Sequence, residues 1–368
     1  MGLDINQAFL IARTATRWRM EGDVCTLGVV DQYFTPDSLA TALRATGRNP
    51  INSVDPFLAM GFRSVASLDV NDFEGCLHIH DLNSPTTPAG LTNRFDVVFN
   101  GGTLEHVFDV SAGLRNIFQM LRHNGVVLHF APINGWVDHG FYQISPTLFT
   151  DYYMANGYDI LESCLIEFNS SYTSITVHPY SPGILDGLRA GYFPGVWMFF
   201  GAFRKTKSSR ANVVPLQYRY ACLYGEGNVT KENPPSPPLF VPFMVSDGKP
   251  HDLELEKYPI RNINPGQGNE WLAPLPDLKK LADGPNGGGS PLLLFQNGVL
   301  IGPAHTLHQD IRDFGRGRYS HWQGVLHFST SDNASPDGRM FEVGIPAHLK
   351  RGKISSFFSK KLRVKKTT

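Results

Sequence analysis

The chain has 368 residues, 42% hydrophobic and 18% charged, which is long enough for two or three domains and too apolar for a disordered protein. Lys plus Arg and Asp plus Glu each number 33, so a formal net charge of +0 gives no global field for an acidic polymer, and no nucleic-acid partner is expected. Four widely spaced cysteines, Cys25, Cys76, Cys164 and Cys222, suggest neither a zinc cage nor a disulfide framework and fit a reducing, cytoplasmic setting. The amino terminus lacks the charged-then-apolar order of a secretory signal. The longest apolar run, Val196 to Phe203, has strand length, so no membrane span is expected.

From Asp23 to about residue 205, β-rich runs alternate with helix-like stretches, the pattern of a parallel sheet with crossover helices. Strands are expected at 24–30, 64–70, 76–82, 95–100, 125–131, 158–169 and 196–204. Between them, Pro36-Asp37 opens a helix ending at Gly47, Asp109 opens one to Leu121, and Pro146 opens one that stops at Asn156-Gly157. After Lys205 the pattern changes: KTKSSRANVVP is a polar exit, and PPSPP, NPGQGN and PNGGGSP come after it. Residues 1–207 therefore read as one α/β domain and 208–289 as a Pro/Gly-rich linker and irregular segment. Residues 290–346 read as a small β-rich module with an Asn297-Gly298 hairpin, and 347–368 as a basic tail, either solvated or touching an anionic surface.

The most informative stretch runs from Arg94 to Pro132. A buried strand, FDVVF, enters a small-residue turn, NGGT, then the polar pair Glu105-His106, an amphipathic helix and a further apolar strand. In an open α/β sheet such a turn lies at the carboxyl edge, where the ligand crevice forms. The segments FDVVFNGGTLEHVFD and LRHNGVVLHFAP resemble class I S-adenosylmethionine-dependent methyltransferases, which commonly read FDxV…LEHVxD and LxxGGxhhhxxP there. SLDVND, IHDLN and DHGFYQISPTLFTDYY extend the resemblance over about residues 1–205. It implies a seven-stranded Rossmann-like methyltransferase sheet with flanking helices, S-adenosyl-L-methionine as cofactor, and O- or N-methyl transfer to a small-molecule or saccharide acceptor.

By the same resemblance, Asp69 would accept the ribose hydroxyls, Asp81 would meet the adenine edge with Leu82 packed on the ring, and Asn100 and Gly101 would line the methionine end. A carboxylate takes two hydroxyl donors well, and glycine lets backbone approach a ligand closely. Without a ligand, Asp69 and Asp81 would simply cap the following turn. The first loop departs from the family pattern: CTLGVVDQYFT keeps Gly28 alone, and the β-branched Val29 and Val30 resist positive φ. The spacing from Gly28 to Asp69 also exceeds that of a dinucleotide fingerprint, and the inserted segment NPINSVDPFLAMGF accounts for it. A non-catalytic binding or scaffold protein that kept the fold is the alternative.

Methyl transfer to a hydroxyl needs a proton acceptor, and an imidazole titrates near neutral pH. His106 and His139 fall on the same sheet edge, with Tyr142 close to His139, so either histidine is a base or a substrate donor, or His106 packs or caps. His78, His80 and His129 alternate within apolar strands and read as structural, and no H-E-x-x-H spacing suggests a metal. The stretch PAHTLHQDIRDFGRGRYSHWQGVLHFSTSDN resembles carboxy-terminal modules of bacterial polysaccharide-cluster methyltransferases and glycosyltransferases. There Tyr319, His321 and Trp322 beside Arg318 form either a sugar platform, as in a carbohydrate-binding adaptor, or the core of a small domain.

Overall fold

Residues 2–182, 195–224, 240–283 and 290–347 are described by a computed structural model, in two units. The first draws on 2–182, 195–224 and 242–251, and the second on 240–241, 252–283 and 290–347. The basic tail beyond 347 and the PPSPP cluster lie outside the described residues.

The first unit begins with β1 (Gly2–Leu3) and α1 (Ile5–Arg17), followed by β2 (Asp23–Leu27), β3 (Asp31–Gln32), α2 (Pro36–Ala45), α3 (Pro56–Ala59), β4 (Ser64–Asp69) and β5 (His78–Ile79). It continues through β6 (Phe95–Gly101), α4 (Val110–Met120), β7 (Leu121–Asn134), α5 (Pro146–Ala155), β8 (Asp159–Phe168), β9 (Ser174–Pro179), β10 (Trp197–Arg204) and α6 (Tyr218–Tyr224). The hairpin β11 (Phe243–Ser246) and β12 (Lys249–Asp252) completes it. Local chemistry sets the helix starts. Asp4 and Gln7 make a capping box for α1, Thr35 caps α2 with Pro36 in its first turn, Asp109 accepts from the Ala112 amide to start α4, and Pro146 opens α5.

Ten strands form one mixed sheet in the order β5-β4-β2-β6-β7-β10-β8-β9-β11-β12. Each of the seven expected strand ranges holds a strand, but the sheet has ten, three of them added beyond β8. β5, β4, β2, β6 and β7 run parallel, and β10 inserts antiparallel between β7 and β8. Both edges are short: β5 has two residues and β12 has four, all exposed. The central strands are buried on both faces, which is why FDVVF and VVLHFA read as continuous apolar runs.

The core on the β10 side is aromatic. Phe149 of α5 stacks on His129 and on Phe199, and Tyr153 stacks on Phe203. Gly201 makes room for them, because a Cβ there would stand 2.6 Å from the Phe199 ring and 2.7 Å from Phe203. Residues 205–218 also pack on α5: Tyr152 Oη donates to Ala211 O, Asn156 Nδ2 to Val213 O, and the Tyr218 amide to Asp151 Oδ2. The segment expected as a linker is therefore divided. Its 242–251 portion extends the first sheet, while 252–283 belongs to the second unit.

The second unit contains β13 (Leu255–Pro259), β14 (Asn264–Pro265), β15 (Trp271–Pro274), β16 (Leu293–Gln296), β17 (Val299–Ile301), α7 (His308–Phe314), β18 (Tyr319–Trp322), β19 (Val325–Phe328) and β20 (Phe341–Pro346). Two four-stranded antiparallel sheets, β13-β20-β16-β17 and β14-β15-β19-β18, share a core that includes Leu294, Leu326, Phe328 and Val343. The Asn297-Gly298 turn forms as expected, with φ of 50° and 79° between paired Gln296 and Val299. Tyr319, His321 and Arg318 are buried: Tyr319 Oη donates to Leu292 O, and His321 Nδ1 shares a hydrogen with Ser290 Oγ. These residues are core, not an exposed sugar platform.

Candidate functional site

The strand order reverses between β2 and β6, and in open α/β sheets ligands bind outside the carboxyl ends of the strands at such a point. A cavity of about 620 Å³ lies there. Its floor is the ends of three adjacent parallel strands: Gly28 after β2, Asp69 closing β4, and Gly101 closing β6. The amino-terminal segment covers one side, because β1 pairs with β3 and places Asp4, Asp31 and Tyr33 on the wall.

The turn after β6 is held from below. Asn100 is fully buried, and its Oδ1 accepts from the backbone amides of Thr103 and Leu104. That fixes the carboxamide orientation, so Nδ2 donates to Nδ1 of His129, the residue paired with Asn100 across β6 and β7. His129 must then carry its proton on Nε2 and donate it to Tyr153 Oη, 2.8 Å away. Burial lowers the His129 pKa to about 3. Thr103 Oγ1 donates to Leu27 O, tying the turn to the end of β2. Gly102, with φ of 112°, is a position where a side chain would be strained.

Beyond the turn, Glu105 is 1% exposed, and its Oε2 has no hydrogen-bond partner among the described residues. Burial raises its pKa to about 7. His106 and His139 stand over it with ring centroids 5.1 Å apart, and His139 Nε2 is 3.9 Å from Glu105 Oε1. Burial, then the neighbouring His139, lowers the His106 pKa. The loop carrying His139 is docked. The Tyr142 amide donates to Glu105 O, Trp136 Nε1 donates to Trp197 O, and Tyr142 Oη donates to Phe108 O.

The structure therefore gathers Gly28, Asp69, Gly101, His106 and His139 around one cavity, while Asn100 supports the turn from within the core. Asp69 Oδ1 accepts from the Val70 amide, and Oδ2 has no partner among the described residues. Asp81 and Leu82 do not line the cavity. Asp81 is exposed and accepts from the Asn83 amide and side chain, a local turn cap that lowers its pKa, and Leu82 is buried. Tyr142 also lies off the lining, its hydroxyl engaged with Phe108. Sequence reasoning missed the wall formed by Asp4, Asp31 and Tyr33, because nothing in a two-residue strand announces its pairing. The D-x-x-Q capping box at Asp4 was the available signal for α1.

No protein-family profile matches the chain, and no curated protein matches it. Among solved structures, it is similar to 1,6-didemethyltoxoflavin-N1-methyltransferase of Burkholderia thailandensis, with bound 1,6-didemethyltoxoflavin and S-adenosylhomocysteine, at 14% identity over 55% of this chain and 80% of that one, TM-score 0.31. It is also similar to the N-methyltransferase NodS of Bradyrhizobium japonicum WM9, at 13% identity over 54% of this chain and 97% of that one, TM-score 0.30. An S-adenosylmethionine dependent methyltransferase of Mesorhizobium loti is similar at 14% identity over 54% of this chain and 98% of that one, TM-score 0.30. At these values the likenesses assign neither ligand nor activity.

Proposed function

We propose that the first unit is a Rossmann-like methyltransferase domain that binds S-adenosyl-L-methionine and transfers its methyl group to an oxygen or nitrogen of a small-molecule or saccharide acceptor. One observation carries this reading: a carboxylate with a free oxygen, Asp69 Oδ2, and two glycine backbones, Gly28 and Gly101, converge from the ends of β4, β2 and β6 on one cavity at the switch point. The volume of about 620 Å³ is in the range of cofactor and substrate pockets. When bound, the cofactor supplies an electrophilic methyl group on a sulfonium.

The chain's own residues would do the rest by positioning. Asp69 would hold a pair of vicinal hydroxyls through charge-assisted hydrogen bonds. Gly101 and Gly102 would let the ligand approach the backbone, with the turn kept rigid by Asn100. Glu105, His106 and His139 stand on the same wall, where an acceptor's proton would be received or its oxygen oriented. Calorimetric titration with S-adenosylhomocysteine tests the reading. Wild type should bind, and Asp69→Ala should bind about tenfold more weakly or worse.

A second reading, a non-catalytic protein of the same fold, is favoured by the loop after β2. Val29 and Val30 stand where glycines would wrap a cofactor, and β3 is already paired with β1. Absence of heat with S-adenosylhomocysteine at millimolar concentration would select this second reading.

A further inference from the structure

Three metal-type donors meet on the cavity wall: the Glu105 carboxylate and one ring nitrogen each from His106 and His139, all within 4.8 Å of one another. Glu105 is the buried member, and its Oε2 lacks any hydrogen-bond partner among the described residues, so the carboxylate is desolvated without being satisfied. A buried carboxyl in that condition either keeps a proton or takes a cation. Among the described residues, neither lysine nor arginine lines this cavity.

One of these distances is too long for a direct pair. Glu105 Oε1 and His139 Nε2 are 3.9 Å apart, too far for a hydrogen bond. Two donors bound at 2.0–2.1 Å to one tetrahedral ion lie about 3.4 Å apart, a gap that small side-chain rotations close. The frame that presents the donors is already set. Gly140 packs on the Glu105 backbone so tightly that a Cβ would stand 2.9 Å from Glu105 O, and the Tyr142 amide donates to that same oxygen at 3.2 Å. Both histidines are exposed, which leaves a coordination position open toward the cavity.

We propose that Glu105, His106 and His139 bind a divalent cation of the zinc class, with one coordination position open. Two imidazoles and a carboxylate suit such ions, and three protein ligands with an open fourth site is the arrangement of catalytic rather than structural zinc. Binding stands on these three residues alone. The use of the ion, to orient and polarise an acceptor oxygen, rests on the methyl-transfer reading. The signal is faint in sequence because His139 comes from a loop after β7, far from the adjacent Glu105-His106 pair.

A second trio, Glu270, His308 and His327, lies in the other unit, but its carboxylate is occupied. Glu270 Oε1 accepts from His327 Nδ1 and Oε2 from Arg312 Nε, and the two imidazoles lie flat on each other, centroids 3.8 Å apart and planes 13° from parallel.

The test is titration of the chelator-stripped full chain with zinc alone, against a competing chromophoric chelator. One tight equivalent is expected, weakened about 100-fold or more in both Glu105→Gln and His139→Gln and unchanged in His308→Ala. His139→Gln alters an exposed loop residue, so its loss of binding is not a folding defect. S-adenosylhomocysteine titration of the same samples reports the cofactor reading separately. No tight equivalent, or one that survives both Glu105→Gln and His139→Gln, would overturn the proposal, and one lost only in His308→Ala would move the site to the second unit.

Discussion

His129 makes the first unit acid-sensitive in a way that one substitution isolates. Its Nδ1 faces the Asn100 amide donor and its Nε2–H is given to Tyr153, so a second proton on the ring would set donor against donor in a fully buried place. Against the ordinary value of 6.5, the native value of about 3 means that the unfolded chain takes up a proton across the interval where the folded one does not. The associated stability is complete above about pH 6.5 and is lost progressively as the pH falls toward 3. At 1.36 kcal/mol per unit this totals about 5 kcal/mol, of which about 3 kcal/mol is lost by about pH 4.5. Acidic groups held low, such as Asp23 and Asp332, add losses only at lower pH. His129→Gln can keep an acceptor toward Asn100 and a donor toward Tyr153 but cannot titrate. Urea denaturation between about pH 6.5 and 4.5 should show the wild type losing about 1.4 kcal/mol per pH unit more than the variant. Equal slopes, or a His129 imidazole resonance titrating near its ordinary value, would refute the account.

Packing sets further outcomes. Gly201→Ala drives a methyl into the Phe199 and Phe203 rings and should cost about 1–3 kcal/mol in a denaturation midpoint. Lys205→Met removes the ammonium that donates to Phe118 O and Leu121 O at the end of α4, each at 2.7 Å. Leaving those carbonyls unmet should cost about 2 kcal/mol or more by the same assay. Leu294→Ala, in the core of the second unit, should cost that unit about 2–5 kcal/mol. It should leave S-adenosylhomocysteine titration of the first unit unaltered.

The parts of the fold that were legible are those with local or periodic signals. The buried parallel strands announce themselves as apolar runs, and α2, α4 and α5 by Pro36-Asp37, Asp109 and Pro146. α1 was not read from the sequence, although Asp4 and Gln7 mark its start and its apolar residues recur with a helical period. β9 and β12 add to the sheet as partners in local hairpins with β8 and β11, and only the pairing of β11 with β9 joins residues far apart in the chain, which no local pattern encodes. Along the cavity, Asp69 and Gly101 were readable as residues closing strands, and His106 and His139 as residues in the segments that follow β6 and β7. Asp81 lies off the cavity lining, its Oδ1 capping the local turn through Asn83. Tyr319 and His321 illustrate the same competition in the second unit, where the need for a core took the aromatic residues that an open surface would have shown.

The hairpin β11–β12 has a consequence for how the chain behaves when shortened. β9 carries buried Ile175 and Val177, and among the described residues its outer backbone edge is met by β11, which leans on α1 through Arg13 over Phe243, while the amide of Gly248 in the hairpin turn donates to Asn6. A chain ending near 207, where composition suggests a boundary, would present that six-residue strand as an open template. Strands of another copy would dock there and propagate. The proline-rich stretch is thus not a place to cut: the hairpin on its far side is the guard that keeps one molecule's sheet from becoming the seed of an aggregate.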